Sequence, residues 1–119
     1  MTIDQMREYC LSKKGVTEEM PFGDGVLVMK VLGKMFALIP LATAPAQINL
    51  KVVPEKGLEH RARYESVTPA FHMNKTHWVT AIDDGTIPAR ELKEWIDESY
   101  GLVVGKFTKA KKQELDFLS

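Results

Sequence analysis

Residues 26–41, VLVMKVLGKMFALIPL, form the longest apolar-rich run of the sequence. Two blocks of mostly branched and aromatic side chains flank Leu32-Gly33-Lys34, and glycine is well suited to a tight connection between strands. The pattern predicts an antiparallel hairpin with its turn at residues 32–34. Lys30, Gly33, Lys34 and Pro40 interrupt the run, so we expect no membrane-spanning helix here.

Both arms of this hairpin are apolar on both of their faces. Alternate side chains of a strand point to opposite faces, so Val26 and Val28 lie opposite Leu27 and Met29. The second arm repeats the pattern over residues 35–39. A sheet covered by helices on one side only would expose one of these sets. We therefore expect a cover on the second face, either the C-terminal helix or a second subunit.

The rest of the chain alternates helical and strand patterns. Residues 47–53 alternate as a half-buried third strand, and AFH and THWVTAI read as two short strands around a Met-Asn-Lys turn. Helices are predicted after a Thr2 cap, over residues 54–65, from residue 87 or 88 with a restart at Ser99, and after a Thr108 cap. Gly57 should weaken the second helix by about 1 kcal/mol relative to alanine.

This element order, α-β-β-β-α-β-β-α(-α), predicts a two-layer α+β domain. Short links between strands require antiparallel pairing, so we expect one antiparallel sheet of about five strands with helices against it. A chain of 119 residues fits a single domain over residues 1–119.

Composition restricts the function classes. Lys plus Arg and Asp plus Glu both number 16, so no long-range field of one sign attracts nucleic acid or membranes. Cys10 is the only cysteine, which excludes an internal disulfide and favours a cytoplasmic protein. Its place on the apolar stripe of the first helix predicts a packing role. The start of the chain lacks the pattern of a signal peptide.

No motif of a common cofactor or catalytic site occurs. The sequence has no P-loop, dinucleotide glycine fingerprint, HExxH or GxSxG. Asp83, Asp84, Glu91 and Glu94 surround a predicted helix start, where acids interact favourably with the dipole. We therefore predict no cofactor, no metal and no catalytic residue, and a protein that is not an enzyme.

The octapeptide FHMNKTHW, residues 71–78, combines two histidines and a lysine around the predicted turn. His72 and His77 could face each other across a hairpin, where they could be surface histidines, contacts to a polyanion, or metal ligands if a carboxylate joined them. Trp78 is expected to anchor the core rather than to stack on a nucleotide base.

Charge is unevenly distributed along the chain. Residues 51–80 hold five basic and three acidic side chains, a balance of plus two, and residues 81–100 hold two basic and six acidic ones, a balance of minus four. Lys56, His60 and Arg63 follow helical spacing and form a basic stripe. This stripe could meet phosphates, or it could be a solvated face in which Glu59 and Arg63 form a pair.

Several motifs together resemble the MmcQ/YjbR family of small bacterial proteins. They are GDGVLVMKVLGKMFALI, INLKVVPEKG, TPAFHMNKTHWVTA and ESYGLVV, and they cover nearly the whole chain. The resemblance implies a frataxin-like (CyaY-like) or secretion-chaperone-like α+β fold. It also implies a DNA-binding role through two hairpin wings, the double-wing motif, and it supplies no catalytic residues to transfer.

These observations lead to a predicted DNA-binding module that contacts phosphates weakly and with strong salt sensitivity. Its predicted contact residues are the basic and polar groups of the two hairpins and the second helix: Lys34, Lys56, Arg63, His72, Asn74, Lys75 and His77. One alternative is a protein-interaction or chaperone-like domain, or a homodimer, that uses the apolar sheet face. Another is a small-ligand or metal site at His72 and His77.

Overall fold

A computed structural model of the chain describes residues 1–118. Within these residues a six-stranded antiparallel sheet has the order β1-β2-β3-β4-β6-β5. The strands are β1 (Val16–Glu19), β2 (Val26–Val31), β3 (Lys34–Pro40), β4 (Gln47–Lys51), β5 (Val67–Pro69) and β6 (Trp78–Ile82). The helices are α1 (Ile3–Leu11), α2 (Pro54–Arg63), α3 (Ala89–Gly105) and α4 (Lys109–Asp116). The α+β class and the antiparallel sheet are confirmed.

The first predicted hairpin is confirmed in its place and its turn. β2 pairs with β3, and Leu32 and Gly33 connect them with φ angles of 45° and 85°. Two consecutive positive φ angles are typical of the type I′ turn, which matches the twist of the flanking strands. The register shifts at Lys30, which pairs with Met35 while Met29 pairs with Ala37, so Phe36 is an additional residue in β3.

The prediction of about five strands missed β1. The segment 16–19, VTEE, is short and mostly exposed, so it has no alternation of apolar and polar side chains that could indicate a strand. It forms an edge strand on β2. Two ion pairs stabilise this edge, Arg7 with Glu18 at 2.5 Å and Lys30 with Glu19 at 2.5 Å.

The helices pack on one face of the sheet and form the larger core there. Fully buried side chains from α1, β3 and α3 meet in this core, including Met6, Cys10, Phe36, Leu92 and Ile96. Thr2 and Thr108 cap α1 and α4 as predicted, each through its hydroxyl oxygen. The predicted restart at Ser99 is wrong, because α3 continues without a break to Gly105.

Among residues 1–118, the second sheet face carries a smaller apolar cluster and no helix. Val28, Leu38, Ala70 and Trp78 are buried there, which confirms the core position of Trp78 and the two-sided apolar pattern. The C-terminal helix does not cover this face. Its Leu115 joins the larger core on the helix side.

Ser99 of α3 joins the sheet where the β3–β4 ladder opens. Ala37 pairs with Leu50 and Leu38 with Asn49, so a continued ladder would pair Phe36 with Lys51. Instead the Ser99 hydroxyl donates to the Phe36 carbonyl oxygen at 2.6 Å and accepts from the Lys51 amide at 2.9 Å. Ser99 is completely buried, so this bridge satisfies two backbone groups that water does not reach.

The second predicted hairpin differs from the structure in its strands. AFH is not a strand, since β5 ends at Pro69 and residues 70–77 form a loop of successive turns. Asn74 organises this loop, because its side-chain oxygen accepts from the amides of Thr76 at 2.9 Å and His77 at 3.3 Å. Asn side chains often form such local bonds, which compete with strand pairing.

No helix within residues 1–118 combines the length and apolarity needed to cross a bilayer.

Candidate functional site

Three parts of the chain that carry lysines meet at one end of the sheet. Lys34 begins β3, Lys51 ends β4, and the 70–77 loop leads into Trp78, which pairs with Lys51. Because β3 runs antiparallel to β4 and β4 to β6, the start of β3, the end of β4 and the start of β6 share one end. We call this the basic end of the sheet. The structure thus brings Lys34 and Lys75 of the predicted contacts to the same end.

Lys106 follows α3 and lies next to Lys51. Burial lowers the pKa of Lys51, and the positive charge of Lys106 lowers it further. Within residues 1–118 no salt bridge involves either lysine. Two cations held close together without an acid favour a bound anion, which would relieve their mutual repulsion. The sequence offered no signal for this pair, because the two residues are far apart along the chain.

The 70–77 loop presents its polar side chains in different ways. His72, Lys75 and His77 are exposed. The Lys75 ammonium lies 5.2 Å from the ring centre of Phe71, and Lys75 also lines a small cleft with Arg61 of α2. The side-chain oxygen of Asn74 is occupied within the loop, so only its amide nitrogen can contact a ligand.

Lys56 and Arg63 of α2 lie against acids of α3. Lys56 is 3.8 Å from Glu98, and Arg63 is 3.5 Å from Glu91. Arg63 therefore pairs with α3 and not with Glu59 of its own helix. These ion pairs reduce the net charge that the basic stripe presents to solvent.

His60, the third member of that stripe, packs between the two helices. Its ring stacks on Trp95 with 4.1 Å between ring centres, and its Nε2 atom is buried without a hydrogen-bond partner among the described residues. Burial lowers the pKa of His60, although the carboxylates of Glu98 and Glu91 oppose that effect. His60 therefore contributes to packing in its neutral form.

A groove occupies the helix-free face of the sheet and has a volume of about 910 Å³. Met35, Leu38, Asn49 and Thr80 belong to its floor, and Phe22 and Phe71 line its borders. Phe22 precedes β2 and Phe71 follows β5, so these rings belong to loops at opposite ends of the strands. We call this the sheet groove. Sequence patterns indicated an apolar second face, but they could not show that it is concave.

Two other observations concern the thiol of Cys10 and the side chains that could bind a metal ion. Cys10 is fully buried, and burial raises the pKa of its thiol to about 12, which agrees with a packing role. Within residues 1–118 there is no group of three or more His, Cys, Asp or Glu side chains placed to hold a metal ion.

Comparison with known proteins relates this fold and its surfaces to a family. The model of the YjbR family matches residues 11–102. The chain belongs to the YjbR family. Two Escherichia coli members of similar sequence are the uncharacterized proteins YjbR and YbdF. YjbR of strain K12 is 29% identical over 115 residues, which are 97% of this chain and 98% of that protein. YbdF of strain O157:H7 is 35% identical over 95 residues, which are 80% and 78% of the two chains.

Solved structures support the same assignment to the YjbR family. The Deinococcus radiodurans protein DR2400, with a domain named DUF419, superimposes with a TM-score of 0.91 at 44% identity. The match covers 97% of this chain and 88% of DR2400. A Pseudomonas syringae protein has a TM-score of 0.73 at 27% identity, over 86% of this chain and 98% of its own. The sequence resemblance to the MmcQ/YjbR family is therefore confirmed.

Proposed function

We propose that this YjbR-family protein is a non-enzymatic module that binds duplex DNA through phosphate contacts at the basic end of the sheet. The proposal rests on the neighbouring ammonium groups of Lys51 and Lys106, which have no acidic partner within residues 1–118. A backbone phosphate between them would replace repulsion by two charge-assisted hydrogen bonds. Lys34 and Lys75, which are exposed at the same end, would meet neighbouring phosphates.

The proposed contact set differs from the sequence prediction in two respects. Lys56 and Arg63 are left out because Glu98 and Glu91 neutralise them. Lys51 and Lys106 enter because the fold brings them together. A set of about four cations on a chain of zero net charge implies weak binding with little dependence on base sequence. His72, His77 and the side-chain amide nitrogen of Asn74 remain proposed hydrogen-bond donors at the rim of this surface.

Titration of a fluorescently labelled duplex at low salt tests the proposal. The double variant Lys51→Gln/Lys106→Gln should weaken binding about tenfold and reduce the salt slope by about 2, since each phosphate contact contributes roughly 0.9 to that slope. The matched control is Lys56→Gln/Arg63→Gln, which removes the same charge from α2 and should change the affinity less than twofold. Equal losses in both variants would show that only net charge matters. Absence of binding by the unmodified protein at low salt would refute the DNA proposal.

A further inference from the structure

We propose that the sheet groove is a binding site for a small aromatic carboxylate. This site borders the basic end of the sheet, because residues 71–74 of the 70–77 loop line it, but it does not depend on DNA binding. Its volume of about 910 Å³ lies within the range of pockets that enclose small organic ligands. The shape of the groove, its aromatic borders and the polar atoms of its floor each restrict the kinds of ligand that it can bind.

The borders favour a flat ring over a chain of another protein. Phe22 is 65% exposed and Phe71 is 66% exposed, so both rings leave much of their apolar surface open to a ligand. Both rings line the groove, and they come from loops at opposite ends of the strands. Met35 and Met73 also line it and add polarisable sulfur, which makes favourable contacts with aromatic rings. An aromatic ligand on the floor would cover apolar surface of the methionines and of the border ring beside which it lies.

The floor supplies a specific polar contact. Asn49 of β4 and Thr80 of β6 lie opposite each other in the ladder, and the Thr80 hydroxyl donates to the side-chain oxygen of Asn49. This bond leaves the two N–H donors of the Asn49 carboxamide for a ligand. A ligand that accepts hydrogen bonds would satisfy them, whereas a purely apolar ligand would bury them unpaired.

The side chains around the groove favour an anion as the ligand group that accepts from the Asn49 donors. The side chains that line the groove include no aspartate, glutamate, lysine or arginine, and His72 at the rim is their one ionisable group. Lys75 lies beside Phe71 and adds a positive charge near the same border. A carboxylate would therefore accept from the Asn49 donors without facing an acid.

A second copy of the chain fits this face less well. A sheet packed on a sheet needs complementary apolar faces about 10 Å apart, and here loops with exposed phenylalanines flank both ends of the floor. The polar side chains of the floor, such as Gln47 and Asn49, would also be buried under the partner and would each need a hydrogen-bond partner there. A small ligand avoids both problems because it fits between the borders.

Naphthoate is a suitable probe for the full-length chain, with methylnaphthalene as its neutral counterpart. Amide NMR shifts should move for residues of the groove, and methylnaphthalene should bind about tenfold more weakly because the Asn49 donors stay unpaired. Asn49→Leu should weaken naphthoate about tenfold and leave methylnaphthalene within about threefold, which a general packing defect would not do. Urea unfolding of this variant verifies that it folds.

Two phenylalanine variants test the border. Phe22→Ala should weaken naphthoate several-fold, whereas Phe117→Ala, which removes a ring that is 88% exposed after α4, should have no effect. Equal affinity for both probes, no effect of Asn49→Leu, or no naphthoate binding would overturn the proposal. The proposal would also be overturned if light scattering showed that the unmodified protein is a dimer, and if Phe22→Ala dissociated this dimer without changing the affinity for naphthoate. The Lys51→Gln/Lys106→Gln variant should bind naphthoate normally, which separates this site from the DNA proposal.

Discussion

Replacement of Ser99 by alanine should remove the bridge between α3 and the opened β3–β4 ladder. The hydroxyl donates to the Phe36 carbonyl oxygen and accepts from the Lys51 amide, and Ser99 has no exposed surface. A buried backbone group left without a partner costs about 1–3 kcal/mol. Ser99→Ala leaves two such groups without a partner, and part of the cost is regained if β3 and β4 move together and pair. We therefore expect a loss of about 3 kcal/mol in the free energy of unfolding.

Urea unfolding followed by tryptophan fluorescence measures this loss, because Trp78 and Trp95 lie on opposite sides of the sheet and report on both clusters. The matched control is Ser66→Ala, which removes a single bond between the hydroxyls of Ser66 and Thr86 at 3.0 Å. That variant should lose about 1 kcal/mol. A loss below about 0.5 kcal/mol for Ser99→Ala would refute the reasoning, since it would mean that the ladder closes without the hydroxyl.

Three further changes have expected outcomes. Gly57→Ala should lower the free energy of unfolding by about 1–3 kcal/mol, because the new Cβ would lie 2.8 Å from a methyl group of Val52. Gly101→Ala, also within a helix but with no atom beyond the adjoining residues and the helix's own backbone within 4 Å of the new Cβ, should raise it by about 0.5–1 kcal/mol. Acidification below about pH 6.5 should reduce stability, because His60 has a lowered pKa in the folded protein and binds its proton more readily when unfolded.

The same unfolding experiments decide each outcome. Stabilisation by Gly57→Ala would show that Val52 moves aside and that helix propensity dominates. The contribution of neutral His60 is fully present above the unfolded pKa of about 6.5 and is lost as the pH falls towards the folded pKa. His60→Phe keeps a ring against Trp95 and should remove this part of the pH dependence. An identical pH profile for that variant would assign the effect to other groups.

At Gly57 the local rule and the tertiary contact predict opposite signs for the change in stability. Helix propensity predicts that alanine is better than glycine at this position. In the fold Gly57 is buried where α2 approaches Val52 and Val79, so the missing Cβ permits a close contact. Propensity describes one helix in isolation, whereas this contact joins α2 to residues of the sheet.

Features that depend on neighbouring residues could be predicted from the amino-acid order alone. The turn at Leu32-Gly33, the alternation of the hairpin arms and the threonine caps are short-range effects, and the α+β class follows from their order. Contacts between distant segments became visible only in the folded chain. Lys51 joins Lys106, Ser99 joins Phe36, and two loops enclose the sheet groove through pairings across many residues. Such pairings depend on strand order, register and helix docking, because no local pattern of side chains specifies contacts between distant segments.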